Sequence, residues 1–354
     1  MLREFQTVPY VPILSVRPAE MNALGELPER DKDALLPFFL LRGWVGSHEI
    51  DNTLRKILEV YGERPWVADI DPNYHPKESR RPVHDTLDAL KNPSDGYENW
   101  FEFLQKIPNA IPCLQIDDID QLGEQLPSLS ALGRGIAIRI PMDMQPDINA
   151  ILGVLLTVQG LNPLIILDYG QSNRDLLGSA ASAIAIVNNV FGAIPDASIV
   201  ISATSFPSDF VGVSHQEIFE RHFFNIVRDE CPDIPLIYGD RGSARAKPIG
   251  GGGGTPAARI DYPLNNEWKF YREDAAPPQG YNDAANALIK DKVWIKDLHL
   301  WGTNQILLAA KEDGYAIRSP VRATAVRINI HIHTQLHYDE PTEALVNTDD
   351  DWID

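Results

Sequence analysis

One phrase recurs along the chain: a proline or small residue, an unbroken apolar run, then a charged, hydroxyl or glycine residue. PLIILDYG, Pro163 to Gly170, shows it most clearly. Proline lacks an N–H and is tolerated at the first residue of a strand, so Pro163 reads as a strand start. The four apolar residues after it, without polar alternation, predict a strand buried on both faces, as in a parallel sheet. The same phrase appears at Val11 to Arg17, Leu36 to Gly43, Arg64 to Asp71, Ile111 to Asp118, Gly135 to Met142, Ala197 to Pro207 and Ile234 to Gly242, making eight copies in all.

Helical spacing fills the gaps. PAEMNALGEL follows the first strand, and SHEIDNTLRKILEVYG follows the second, with Ser47 as N-cap and Ile50, Leu54, Ile57 and Leu58 on one face. PSDGYENWFEFLQKI, DIDQLGEQLPSLSAL, PDINAILGVLLTVQG, SNRDLLGSAASAIAIVNNVFG and SHQEIFERHFFNIVRDEC precede the fourth to eighth strands in turn. Only the third loop, Pro72 to Asn92, is long, polar and without an element of its own. Eight alternating units predict an α/β fold of the closed (β/α)8 TIM type rather than an open sheet.

Beyond this repeat the style changes. Gly250 to Gly254 are five consecutive glycines, which no regular element would hold. RIDYPLNNEWKFYR reads as strand, turn and strand around Asn265 and Asn266, and three helices are expected near YNDAANALIKD, GTNQILLAAKED and RATAVRINIHIHTQL. The expected division is a barrel over residues 1–249, a C-terminal hairpin and helical cap packed on it over 250–338, and an acidic tail over 339–354.

Composition adds limits. With 354 residues, 44% hydrophobic and 23% charged, the chain can bury a large core and is ordinary for a soluble globular protein. No stretch approaches the roughly 18 apolar residues of a membrane span, and no basic flank with an apolar core marks a secretory signal, so no membrane partner and cytoplasmic residence are expected. Cys113 and Cys231, the two cysteines, are expected as buried thiols. A formal net charge of -19 makes nucleic acid an unlikely partner unless basic residues cluster locally.

In such a barrel chemistry gathers at the C-terminal ends of the strands. Those ends supply Arg17, Arg42, Asp69, Asp71, Asp117, Asp118, Arg139, Asp168, Ser205, Asp240 and Arg241. Converging carboxylates either push one another's pKa apart, giving an acid and a base, or hold a divalent cation, while arginines orient an anionic group. Asp69, Asp117, Asp168 and Asp240 are the catalytic candidates; Arg17, Arg42, Arg139, Ser205, Arg241 and Arg245 are the substrate-binding ones. Asp118, just before IDQL, looks like a helix cap. After the eighth strand, Arg241, Gly242, Ser243, Arg245 and Lys247 form a basic cluster where these barrels often bind phosphate, with the glycine run as a hinge beside it. In HIHTQLH, His333 and His337 share a helix face at a spacing zinc sites use, but no Glu follows His333, so HExxH is absent and a packed cluster is the plainer reading. No P-loop, GxSxG or paired CxxC occurs.

YVPIL, IYGDRGSA, RIDYPLNNEWKFYR, LHLWGTNQI and RATAVRINIHIHTQL, in that order, resemble the beta protein family of phages and bacterial genomes. That family looks like a barrel carrying YGDYA, RIxYP…W…YR, a SWGD-like turn and a C-terminal WR…HHI helix. Here Arg241 stands where the family tends to have Tyr, Thr303 where the aspartate of the turn would be, Ala323 follows Arg322 without a preceding Trp, and Ile332 splits His331 from His333. The resemblance implies a role in phage–host conflict and no particular reaction. Two functions are therefore expected. One is a hydrolase for a phosphate-bearing, nucleotide-like substrate, with a divalent cation as its conceivable cofactor. The other is a noncatalytic protein that sequesters a small ligand or engages a protein partner.

Overall fold

All eight predicted strands form and close into a parallel barrel. In the computed structural model, which describes residues 1–74, 79–246, 257–346 and 348, the strands are β1 (Tyr10–Ser15), β2 (Phe38–Leu41), β3 (Trp66–Ile70), β4 (Ala110–Leu114), β5 (Ala137–Pro141), β6 (Leu164–Gln171), β7 (Ser198–Thr204) and β9 (Leu236–Asp240), with a short β8 (His215–Glu217) outside the barrel. Closure comes where β9 pairs with β1, Tyr10 opposite Tyr238 and Pro12 opposite Asp240.

The unbroken apolar runs arise because each strand is covered on both faces. Val11, Ile13, Phe38, Leu40, Val67, Ile111, Ala137, Ile166, Val200 and Ile237 fill one apolar cluster, the barrel interior. The alternate positions, among them Tyr10, Leu14, Phe39, Ile138, Ile165, Leu167, Ile199 and Tyr238, belong to the layer between strands and helices. Successive side chains of a strand point to opposite faces, so this parity extends beyond the last apolar residue of each strand. Cys113 and Cys231 are both buried and free.

The C-terminal hairpin forms as predicted, β10 (Arg259–Pro263) against β11 (Glu267–Arg272), and so do the helices Gln279–Ile289, Trp301–Ala310 and Pro320–Leu336. The last helix is buried continuously from Ala325 to Leu336, as a helix must be when other elements cover every face. It lies on the helix Pro18–Gly25, where the Asn329 amide donates to the carbonyls of Ala23 and Glu26. Thr303, in place of an aspartate, caps the helix Trp301–Ala310: its hydroxyl accepts from the Leu300 N–H at 2.9 Å.

Local chemistry corrects several expectations. Ser47 is not an N-cap; its hydroxyl accepts from the Glu49 N–H in a turn, and the helix begins later, at Asp51–Tyr61, leaving Leu58 55% exposed. The third loop is not structureless, since Pro82 starts a helix, Pro82–Leu90, where its missing N–H costs nothing. His215–Glu217 is a strand rather than the start of a helix, and it extends the hairpin in the order β10-β11-β8. One stretch, Arg174–Ala193, is long and apolar enough to cross a membrane by length and composition alone; its Ala183, Val187 and Val190 are buried within the fold. Lys247, Gly250 to Gly254 and residues 349–354 lie outside the described residues.

Gly302 marks the tightest approach of two C-terminal helices. A Cβ there would lie 2.7 Å from Ile330 Cγ1 and 2.9 Å from both Asn329 Oδ1 and the Val326 carbonyl. Gly302→Ala is therefore expected to destabilise the protein by about 1–3 kcal/mol through overpacking. Urea unfolding checks this, and wild-type stability in the variant would contradict the close packing.

Candidate functional site

At the C-terminal ends of the strands the interior positions change from apolar to charged. Asp69 follows Val67 in phase, Asp168 follows Ile166, and Arg241 follows Ile237 by way of Gly239. These residues form a relay of alternating charge. Arg139 donates through Nε to Asp69 at 2.7 Å and through a terminal nitrogen to Asp168 at 3.4 Å, and Arg241 donates to Asp168 at 2.5 Å. Gln115 Nε2 adds a bond to Asp69 at 3.0 Å. Burial works against the charge of Arg139, but the facing Asp69 and Asp168 more than offset it and hold its proton more tightly than usual. The relay lines a cavity of about 460 Å³ together with Lys91, Asp117 and Asp143. Asp117 is exposed and pairs with Lys91 at 3.2 Å. Asp118 is the cap it resembled, accepting from the Asp120 N–H.

Across the mouth, Asp71 gathers Ser15, Arg42 and Arg17, at 3.1, 3.2 and 3.7 Å. Arg17 stands between two further cavities. The smaller, about 250 Å³, is lined by Arg42, Trp44, Arg81 and His84 among others. The larger, about 600 Å³, carries four arginines, Arg17, Arg245, Arg259 and Arg327, against one carboxylate, Glu20, with Phe206 and Phe210 in its wall. Glu20 is buried, and that burial pushes its carboxyl up despite Arg17.

The arginines of this cavity are fixed by aromatic faces. Arg259 lies 3.4 Å from the Phe210 ring centre and Arg327 lies 3.9 Å from that of Phe206. Asp261 is shared between them, holding Arg259 through both carboxylate oxygens and Arg327 at 2.6 Å. Arg245 is held by the carbonyls of Pro207 and Ser208. Burial, and then the charge of Arg259, draws Arg245 below the usual arginine value. Burial does the same at Arg327 despite Asp261, with Arg259 and Arg245 adding to it. Like charges are thus crowded around a space that an anion would relieve.

The remaining two candidates sit elsewhere. Asp240 is out of phase with the mouth and points to the helix layer, where it is wholly buried. It accepts from Tyr10 at 2.5 Å, Tyr238 at 3.0 Å and the Gly242 N–H at 2.7 Å, and meets His331 Nε2 at 2.7 Å. Burial opposes its charge, but His331 and the other donors hold the carboxyl below its usual range. Ser205 is also closed in: its hydroxyl and N–H both donate to Glu220, and the hydroxyl accepts from the Phe219 N–H.

The structure thus brings Asp69, Arg139, Asp168, Arg241 and Asp117 to one cavity and Arg17 and Arg245 to another, with Arg42 beside Arg17. Arg259, Arg327, Phe206 and Phe210 were not expected. For all but Arg327 there were signals, an Arg259 and Asp261 pair two apart on one strand face and two phenylalanines in FPSDF just after β7.

A family model described as Beta protein matches residues 10–337. The chain is also 31% identical over 346 residues to Protein beta of Enterobacteria phage P4, covering 95% of each chain.

Burial pushes the Glu220 carboxyl up to about 7, against the hydrogen bond from Ser205. A carboxyl raised on folding adds stability that is complete below its ordinary value of 4.5 and is lost as pH rises through about 7. Glu220→Gln should flatten the fall in stability across that window, measured by urea unfolding at stepped pH. An unchanged slope would show that Glu220 does not titrate there.

Proposed function

The chain belongs to the beta protein family, and we propose that its barrel mouth binds a small phosphate-bearing, nucleotide-like ligand. The observation that carries this reading is the cavity of about 600 Å³ in which four arginines surround Phe206 and Phe210. Guanidinium groups match phosphate oxygens in pairs, and Phe206 and Phe210 hold two of those groups, Arg327 and Arg259, in place at the cavity. In a chain of net charge -19, so local a positive lining is a specific feature rather than a consequence of composition. Arg241 supports it from the neighbouring cavity, because its buried Nε has no hydrogen-bond partner among the described residues.

Hydrolysis of the same ligand is the second reading, favoured by Asp69, Asp117, Asp143 and Asp168 lining the adjoining cavity. Such a carboxylate set is of the type that holds a divalent cation against phosphate. Asp69 and Asp168, however, are already engaged by Arg139 and Arg241, and Asp240 and Ser205 are enclosed, so binding is the better supported activity. A relative in a phage supports placing that binding in phage–host conflict.

Isothermal titration with ATP, GTP, inorganic pyrophosphate and adenosine tests the proposal. Nucleotides and pyrophosphate should bind, adenosine should not, and Arg245→Ala should weaken nucleotide affinity about tenfold, the worth of one charged hydrogen bond of about 1.5 kcal/mol. No heat with any phosphate, or wild-type affinity in the variant, would remove the arginine cavity as the site. Phosphate release with magnesium, abolished in Asp117→Asn, would establish the hydrolytic reading.

A further inference from the structure

On the side of the barrel, away from the cavities of the mouth, the C-terminal helix brings His333 and His337 onto Asp31, a residue of the helix Glu29–Ala34 between β1 and β2. Asp31 and His333 are wholly buried, and the side chain of His337 is 10% exposed. His333 Nδ1 stands 2.5 Å from one oxygen of Asp31, and His337 Nε2 stands 3.0 Å from the other. The two rings are 4.6 Å apart.

The outward nitrogens decide what the inward ones can be. His333 Nε2 faces the Leu345 carbonyl at 2.8 Å, and His337 Nδ1 faces a Glu340 carboxylate oxygen at 2.7 Å. Both partners only accept, so both outward nitrogens carry N–H. Each inward nitrogen stands at hydrogen-bond distance from the buried carboxylate, so a cation must lie between ring and Asp31, either a proton on the ring or a metal ion shared by all three groups. The outer pattern, each ring anchored through its far N–H by a carbonyl or carboxylate, is the one that orients metal-binding histidines.

We infer that His333 Nδ1, His337 Nε2 and the Asp31 carboxylate form a binding site for one divalent transition metal of the zinc class. All three donors lie within 4.8 Å of one another, and donors about 2.0–2.2 Å from a tetrahedral ion are separated by about 3.3 Å, so shifts of under an ångström complete the site. Nitrogen donors select such an ion over magnesium or calcium. Arg30 flanks the carboxylate, its Nε 3.7 Å from Asp31 Oδ1, the oxygen that His337 Nε2 also faces. The ligands come from residues 302 and 306 positions apart, so the metal would fasten the C-terminal helix to the barrel.

The test is cobalt(II) titration of the full chain after dialysis against a chelator, with zinc competition and thermal unfolding. One equivalent should bind and give the visible absorption of a four-coordinate site, zinc should displace it, and zinc should raise the melting temperature in a way the chelator reverses. His337→Gln, at the least buried ligand, should lose the spectrum. Glu340→Gln, on an exposed side chain that orients His337, should fold normally and weaken zinc affinity about tenfold. Absence of the cobalt spectrum in the wild type, or the same spectrum and affinity in both variants, would overturn the site and leave a proton-bridged histidine cluster only.

Discussion

Closing eight parallel strands fixes which residue of every strand faces inward, and most of the structure follows from that constraint. The interior is apolar through its lower layers and becomes charged only at the strand ends, where Asp69, Arg139, Asp168 and Arg241 meet. Charges so enclosed are tolerated only in pairs, and breaking such a pair by removing one member costs about 3–5 kcal/mol. The alternation of sign around the mouth is therefore a condition of folding before it is a chemical device. The same groups can still serve a ligand, because they line an open cavity.

The C-terminal helix Pro320–Leu336 depends on the barrel in the same way. Along one helix, Arg327 reaches Asp261 of the hairpin, His331 reaches Asp240 of β9, and His333 reaches Asp31 beyond β1. Each contact adds a side chain of this helix to the partners of a buried carboxylate elsewhere in the fold. The helix and hairpin thus complete the barrel mouth rather than decorate it, since Arg259 and Arg327 enter the larger cavity from this segment.

The strands were legible because a doubly covered parallel strand has an unmistakable sequence: PLIILDYG cannot be an amphipathic helix or a half-exposed strand. The site was legible only in part. Strand ends were read alike, although their parity separates them: Asp168 is in phase with Ile166 and faces the mouth, whereas Asp240 is in phase with Tyr238 and faces the helices. Applying the two-residue period past the last apolar residue would have made that distinction. Arg327 was not legible in this way, because its role depends on how a helix near the end of the chain docks on the barrel. The short strand His215–Glu217 was obscured similarly, since three exposed or half-exposed residues become a strand only when β11 supplies the hydrogen bonds.

Charge organisation bears on what kind of ligand suits the mouth. A net charge of -19 repels any long polyanion lying across the surface, but at physiological salt that repulsion fades over about 8 Å. Inside the large cavity four arginines, Arg17, Arg245, Arg259 and Arg327, outnumber the lining Glu20 and the Asp261 that pairs with two of them, and burial weakens the screening of these charges by solvent. A polymer must meet the acidic exterior along its length, whereas a single phosphate-bearing molecule in the cavity meets a lining with four arginines and one carboxylate. On the proposed binding reading, the two fields together would suit a small anion better than a nucleic acid, through placement of charge rather than its sum.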